Sequence, residues 1–440
     1  MAVSPARNAA FNILLGVERE SAYAVELLHS GLLDELSPVD RNLTTEIVMG
    51  VLRWRSVLDE TIARLSFTPF RKLDFEVLTA LRMGVYQKQF LTKIPAHASV
   101  NETVELVKHA RKASAAGLVN AVMRKVKSAA YDPHTSKLSG LDYLSSALAH
   151  PRWLAERWIS YFGDEVAQKI CEYDQRIPET VLRLSSAEDE SLLVEQGIQL
   201  GPAVMMANAR IVTSGDASAT EMFRAAKVAI QDEGSQLVAA LVGKGRRILD
   251  CCAAPGGKTA AMATRLPEAE IVATELHPHR ATLLRRLASQ KNVEVVTADA
   301  LALPYGADFD RVLADVPCSG TGTLARNPEI KWKLKPEDLL DLQSRQIAIL
   351  KAAMRHVSPG GRLVYSTCSL EPEENEQVIA ACLPNSDFKI IPVKTELERL
   401  QDSGELVWKD IDELISGDFL RTIPGVHPCD GFFAAVLEKN

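Results

Sequence analysis

Apolar residues in the first part of the chain recur at spacings of three and four. Between positions 40 and 65 they fall at Leu43, Ile47, Val51, Trp54, Leu58, Ile62 and Leu65. That spacing places them on one face of a single amphipathic helix, with Asp40 as its N-cap. Ser99 and Glu102 have capping-box spacing ahead of Val104 and Val107. An apolar patch at 9–17 is broken by Asn12 and runs into Glu18, Arg19 and Glu20, so it predicts another amphipathic helix and not a signal peptide. Residues 1–130 are therefore predicted to form an all-α bundle of roughly six helices.

Positions 131–145 lose this period and gain Pro, Gly and Ser, as a linker does. Positions 146–240 mix patterns. Trp153, Leu154, Trp158, Ile159 and Phe162 suit a helix, and 204–212 and 228–230 suit strands, which predicts a small mixed α+β domain. From 241 to 440 strands alternate with helices. Strands are predicted at 247–252, 270–275, 293–299, 311–315 and 362–367, and helices at 259–266, 277–290 and 337–357. Buried strands separated by helices give a doubly wound, parallel α/β sheet. A strand-like run at 432–437 after a Pro/Gly-rich turn predicts a late hairpin.

Composition narrows the class. The chain has 440 residues, 47% of them hydrophobic, which supplies enough apolar surface for folded domains. Its longest stretch without a charged residue, 196–209, is too short to span a bilayer as a helix. Seven cysteines with no CxxC pair argue against both a disulfide framework and a zinc site, and fit a reducing cytoplasm. Net charge is −7, but it is unevenly spread. Positions 51–127 carry 14 Lys and Arg against 6 Asp and Glu, a local excess that suits an anionic partner such as RNA.

The candidate chemistry lies at strand ends. The predicted strand at 247–252 runs into Cys252-Ala253-Ala254-Pro255-Gly256-Gly257-Lys258. Cys252 stands where a Walker loop requires glycine, so this is not a phosphate loop of that type. Glu275 ends the next strand, where a carboxylate can hold ribose hydroxyls, and Asp299 ends the third, where it can meet an adenine edge. A glycine loop with two such acids and no phosphate pattern favours S-adenosylmethionine.

Cys318 and Cys368 follow two further strands on the same rim. Carbon 5 of a pyrimidine is a poor nucleophile. A thiolate adding at carbon 6 makes carbon 5 electron-rich enough to take a methyl group from a sulfonium. Asp315 is suited to meet ring nitrogen 3 and the exocyclic amine. The residues alone do not rank the two thiols.

CAAPGGKT, DVPCSGTG and YSTCS, in this order, resemble the RNA cytosine-5 methyltransferases of the Sun/NOL1/NOP2 type. HPRWL, IQDEGSQL, NPEIKW and DGFF are similar to that family as well. The first 130 residues resemble the RNA-binding factor NusB, notably in IPAHASVNETVELVK. The resemblance implies a Rossmann-like S-adenosylmethionine domain preceded by a NusB-like bundle. It implies Cys252 to Lys258, Glu275, Asp299 and Asp315 as cofactor residues, Cys368 as nucleophile and Cys318 as the residue aiding product release. The expected substrate is a cytosine in small-subunit ribosomal RNA. A tRNA cytosine-5 methyltransferase and an inactive RNA-binding or antitermination module are the alternatives. The expected protein is a cytoplasmic monomer with no metal and no membrane association. Arg326, Lys331, Lys333 and Lys335 are expected to line a positive RNA cleft.

Overall fold

The computed structural model describes residues 3–19, 23–91, 94–128 and 130–440. They fall into two compact units: one of residues up to 177 plus 324–333, the other of 178–323 plus 334–440.

The first unit is helical. Helices Pro5–Arg19, Pro38–Arg53, Arg55–Leu65, Phe75–Phe90, Ala96–His109 and Ala116–Lys125 bury their apolar stripes in one core that includes Ile13, Ile47, Leu58, Ile62, Leu81 and Leu106. The expected continuous helix at 40–65 is two helices. The backbone leaves helical geometry at Trp54 (φ −101°, ψ 16°), whose indole packs against Phe90 and Tyr131 with ring centroids 5.2 and 5.4 Å away. One residue off the helix does not disturb the apolar spacing, so the pattern alone did not show the break.

Two expected caps also differ. Ser37 is the N-cap, its hydroxyl accepting the Asp40 N–H, so Asp40 sits one turn inside. Ser99 lies within the helix that starts at Ala96 and is buried, while Glu102 accepts from the Ser4 N–H and hydroxyl and pairs with Arg7.

The second unit holds two sheets. The smaller is antiparallel, formed by β1 (Val181–Leu184), β2 (Gln199–Pro202), β3 (Ala209–Ser214) and β4 (Val228–Ile230) in the order β2-β3-β1-β4. The sequence pattern missed β1 and β2. β1 is buried throughout and so shows no alternation, and β2 contains Gly201 and Pro202.

The larger sheet contains β5 (Arg247–Asp250), β6 (Glu270–Glu275), β7 (Val293–Thr297), β8 (Phe309–Asp315), β9 (Val357–Thr367), β10 (Phe388–Ile391), β11 (Ile415–Ser416), β12 (Phe419–Thr422) and β13 (Phe432–Lys439). Its order is β7-β6-β5-β8-β9-β13-β12-β11, with β10 also on β13. β5 to β9 are parallel. β13 runs antiparallel to β9 and forms the late hairpin with β12. Leu249, Val312, Leu313, Leu363 and Val364 are fully buried, as strands covered on both faces require. β5 and β8 are neighbours at the centre. Their C-terminal ends therefore meet at the reversal of strand order, where open α/β sheets bind ligands.

Candidate active site

The loop after β5 turns sharply into helix Gly257–Arg265. Gly256 has φ +117°, and a Cβ there would lie 2.9 Å from the Leu284 side chain, so only glycine fits this turn without strain. The Ala254–Pro255 peptide is cis. The Ala253 N–H donates to Thr274 O at 2.9 Å, and Arg280 donates to Ala254 O at 3.4 Å, which ties the loop to β6 and the helix after it. Asp250, at the end of β5, accepts from the Thr259 hydroxyl at 2.7 Å. Burial pushes its carboxyl up to about 7, and its Oδ1 has no hydrogen-bond partner among the described residues. Burial likewise pushes the Cys252 thiol well above its ordinary range.

Glu275 closes β6 and is buried. Its Oε1 accepts the His277 N–H at 2.8 Å and its Oε2 lies 3.7 Å from Arg280. Asp299 follows β7, is exposed, and accepts the Leu301 N–H at 2.9 Å. Both acids thus stand at the ligand-binding edge, each with one oxygen engaged by its own turn.

Asp315 closes β8. It accepts from Lys258 Nζ and from the Ser366 hydroxyl, both at 2.7 Å. Burial acts to lower the Lys258 pKa, but the Asp315 charge and hydrogen bond outweigh it, and the ammonium is held above its ordinary value with a further contribution from the charge of Cys368. The Cys318 and Cys368 Sγ atoms are 3.3 Å apart, and both residues are partly exposed. The hydrogen bond to Cys368, then burial, pushes the Cys318 thiol well up. The Lys258 ammonium lies near Cys368.

The structure thus brings Lys258, Asp315, Cys318 and Cys368 together, while Glu275 and Asp299 lie farther along the same edge.

Several motif residues missed by chemical reasoning are structural clips. Glu233 accepts the N–H groups of Met205 and Met206 at 2.7 and 2.6 Å. Asp232 caps the helix that follows it and accepts the Asp430 N–H at 3.2 Å. Gly322 and Gly431 pack backbone to backbone, the Gly431 N–H donating to Gly322 O at 2.7 Å.

The NPEIKW segment belongs to the helical unit. Glu329 accepts the Ala24 N–H at 2.7 Å, and Trp332 Nε1 donates to Leu52 O at 2.6 Å. Lys331 is 1% exposed, and burial lowers its pKa to about 7 despite the charge of Asp174. This corrects the expectation that Lys331 lines an RNA cleft, because its ammonium does not reach solvent.

The strand order, the glycine turn after the first parallel strand and the acids at the strand ends define a Rossmann-like methyltransferase with a helical N-terminal region. Residues 240–438 match the family described as 16S rRNA methyltransferase RsmB/F, and residues 4–128 match the NusB family. The chain is 31% identical to the probable ribosomal RNA small subunit methyltransferase B of Bacillus subtilis, over 99% of this chain and 98% of that one. It is 33% identical to ribosomal RNA small subunit methyltransferase B of Pseudomonas putida, over 92% of each. It belongs to the RsmB/F methyltransferase family. Among solved structures, a methyltransferase homologue from Pyrococcus horikoshii is 28% identical over 69% of this chain and all of its own, with a TM-score of 0.56. The crystal structure of PH0851 shares the fold at a TM-score of 0.80, with 24% identity over the full length of both chains.

Proposed function

We propose that this chain methylates carbon 5 of a cytosine in small-subunit ribosomal RNA, with S-adenosylmethionine as donor and Cys368 as covalent catalyst. The observation that carries this reading is the thiol pair, 3.3 Å apart, beside the Lys258–Asp315 ion pair. A hydrolase, phosphotransferase or nitrogen methyltransferase has no evident need for paired thiols at this rim.

The residues fit the donor. Gly256 leaves the turn bare of side chain, Glu275 and Asp299 offer acceptors at the edge, and Asp250 Oδ1 is a further buried acceptor. The cofactor loop is Cys252, Ala253, Ala254, Pro255, Gly256, Gly257 and Lys258. When bound, the donor supplies an electrophilic methyl group on a sulfonium.

Cys368 adds as thiolate to carbon 6 of the cytosine, with Lys258 stabilising its charge beforehand. Asp315, oriented by Lys258 and Ser366, accepts a hydrogen bond from the exocyclic amine and holds the ring edge-on. Carbon 5 takes the methyl group and then gives up its proton to a base or a water chain, its C–H electron pair restoring the carbon 5–carbon 6 double bond. The carbon 6–sulfur bond breaks, returning the electron pair to Cys368, and Cys318 assists this release. The helical region at 1–130 contacts RNA phosphates, the span 146–240, of which the residues up to 177 belong to the helical unit, joins it in the chain to the catalytic domain at 241–440, and the protein works as a cytoplasmic monomer without a metal.

The test is methylation of deproteinised 16S rRNA and of tRNA with methyl-labelled donor, followed by nucleoside analysis. The expected product is 5-methylcytosine in the rRNA alone. Label in tRNA alone would establish the tRNA alternative, and absence of label in both would favour the inactive module.

A further inference from the structure

The two thiol loops end in a buried carboxylate that the chemistry above leaves unused. Glu374 is 0% exposed. Its Oε1 accepts the Ser319 N–H and a Gln346 side-chain N–H, both at 2.8 Å. Its Oε2 accepts the hydroxyls of Ser319 and Ser369, both at 2.5 Å. Ser319 directly follows Cys318, and Ser369 directly follows Cys368. A carboxylate offers about four acceptor sites and no donor, and here four donors converge on it.

The surroundings fix Glu374 in turn. The Tyr365 hydroxyl donates to its carbonyl at 2.6 Å. Its neighbour Asn375 accepts from the Thr367 hydroxyl at 2.5 Å and donates to Ser369 O at 2.9 Å. Gln346 also donates to Pro317 O at 2.9 Å, on the other side of Cys318.

We propose that Glu374 is the positioning residue of the thiol pair: one buried carboxylate ties the loop carrying Cys318 to the loop carrying Cys368 and so sets the separation and direction of the two sulfurs. Its negative charge also helps keep the proton on Cys318. The catalytic consequence rests on the function proposed above, whereas the geometric claim does not.

Glu374→Gln keeps the shape, removes the charge and replaces an acceptor with a donor. The free full-length chain is treated with phenylarsine oxide, which requires two adjacent thiols, and separately with iodoacetamide across pH. Modification at Cys318 and Cys368 is mapped by peptide mass. Arsenical capture is expected to slow by about tenfold, and the pH midpoint for alkylating Cys318 to fall. On RNA, kcat is expected to fall by roughly tenfold to 100-fold with KM held, and Glu374→Asp to restore part of it.

Unchanged arsenical capture overturns the proposal, whatever the activity. Slowed capture in a protein whose wild type methylates no RNA supports the positioning role and overturns the methyltransferase reading. If Glu374→Gln does not fold, Ser369→Ala decides: slower capture supports the clamp, and wild-type capture overturns it.

Discussion

At the scale of single residues, the roles proposed for the two thiols turn on where one proton sits. Cys318 holds its proton through its contact with Cys368 and through burial, and the Lys258 ammonium lies near Cys368. Cys368→Ala is expected to lower turnover by about a thousandfold or more and to remove any covalent RNA adduct. Cys318→Ala is expected to form the adduct and to accumulate cross-linked to RNA, seen as a retarded protein band. Reversed phenotypes would exchange the two roles.

A second residue-scale expectation concerns Asp250. Burial raises its carboxyl to about 7 in the folded chain, above an unfolded value of about 3.9. The folded state therefore binds the extra proton. This contribution is full below the unfolded value and lost as pH rises through about 7. Asp250→Asn keeps an acceptor for Thr259 and is expected to flatten that decline, a difference of at most about 4 kcal/mol, in urea midpoints measured from pH 4 to 8. A variant with the wild-type pH profile would refute the assignment. The two cysteines were legible in the sequence because each follows a strand and a polar turn. Glu374 was not, since Pro372-Glu373-Glu374-Asn375 reads as a solvated acidic turn until the fold buries it.

At the scale of elements, alternating strands and helices from 241 onward gave away the parallel sheet. Interruption and short length hid the rest. Trp54 breaks a helix without breaking its apolar stripe, and β1 is too uniformly buried to show a period of two. Close approaches of backbone to backbone leave even less trace. A Cβ on Gly322 would stand 2.3 Å from Gly431 O, a backbone atom with little freedom to move, so the two loops must separate to admit it. Gly322→Ala is expected to destabilise the protein by about 1–3 kcal/mol, read as a lowered thermal midpoint. An unchanged midpoint would show that the loops yield freely.

At the scale of the whole molecule, charge and chemistry are carried by different regions. The helical region holds the basic excess, and Arg124 and Lys125 are both exposed. Lys125 Nζ lies 3.8 Å from the centre of the Phe67 ring, which is itself 84% exposed. Cations of this kind on RNA phosphates make affinity fall with salt. Replacing Arg124 and Lys125 by Glu is expected to weaken rRNA binding and to reduce the slope of log affinity against log salt by about 1 for each phosphate no longer neutralised. An unaltered slope would remove this surface from the RNA interface. The basic excess was visible by counting. The burial of Lys331 was not, because residues 324–333 pack against helices some 280 positions earlier in the chain, as the Trp332–Leu52 hydrogen bond shows.

Catalysis as proposed turns on a transient sulfur–carbon bond between Cys368 and a cytosine. Fluorine at carbon 5 of the base blocks loss of the group that must leave there, so the bond should persist. Small-subunit rRNA carrying 5-fluorocytidine, incubated with the full chain and S-adenosylmethionine and then digested, is expected to yield a nucleotide adduct on the peptide containing Cys368. An adduct on the Cys318 peptide, or none in a chain that still methylates unmodified rRNA, would contradict it.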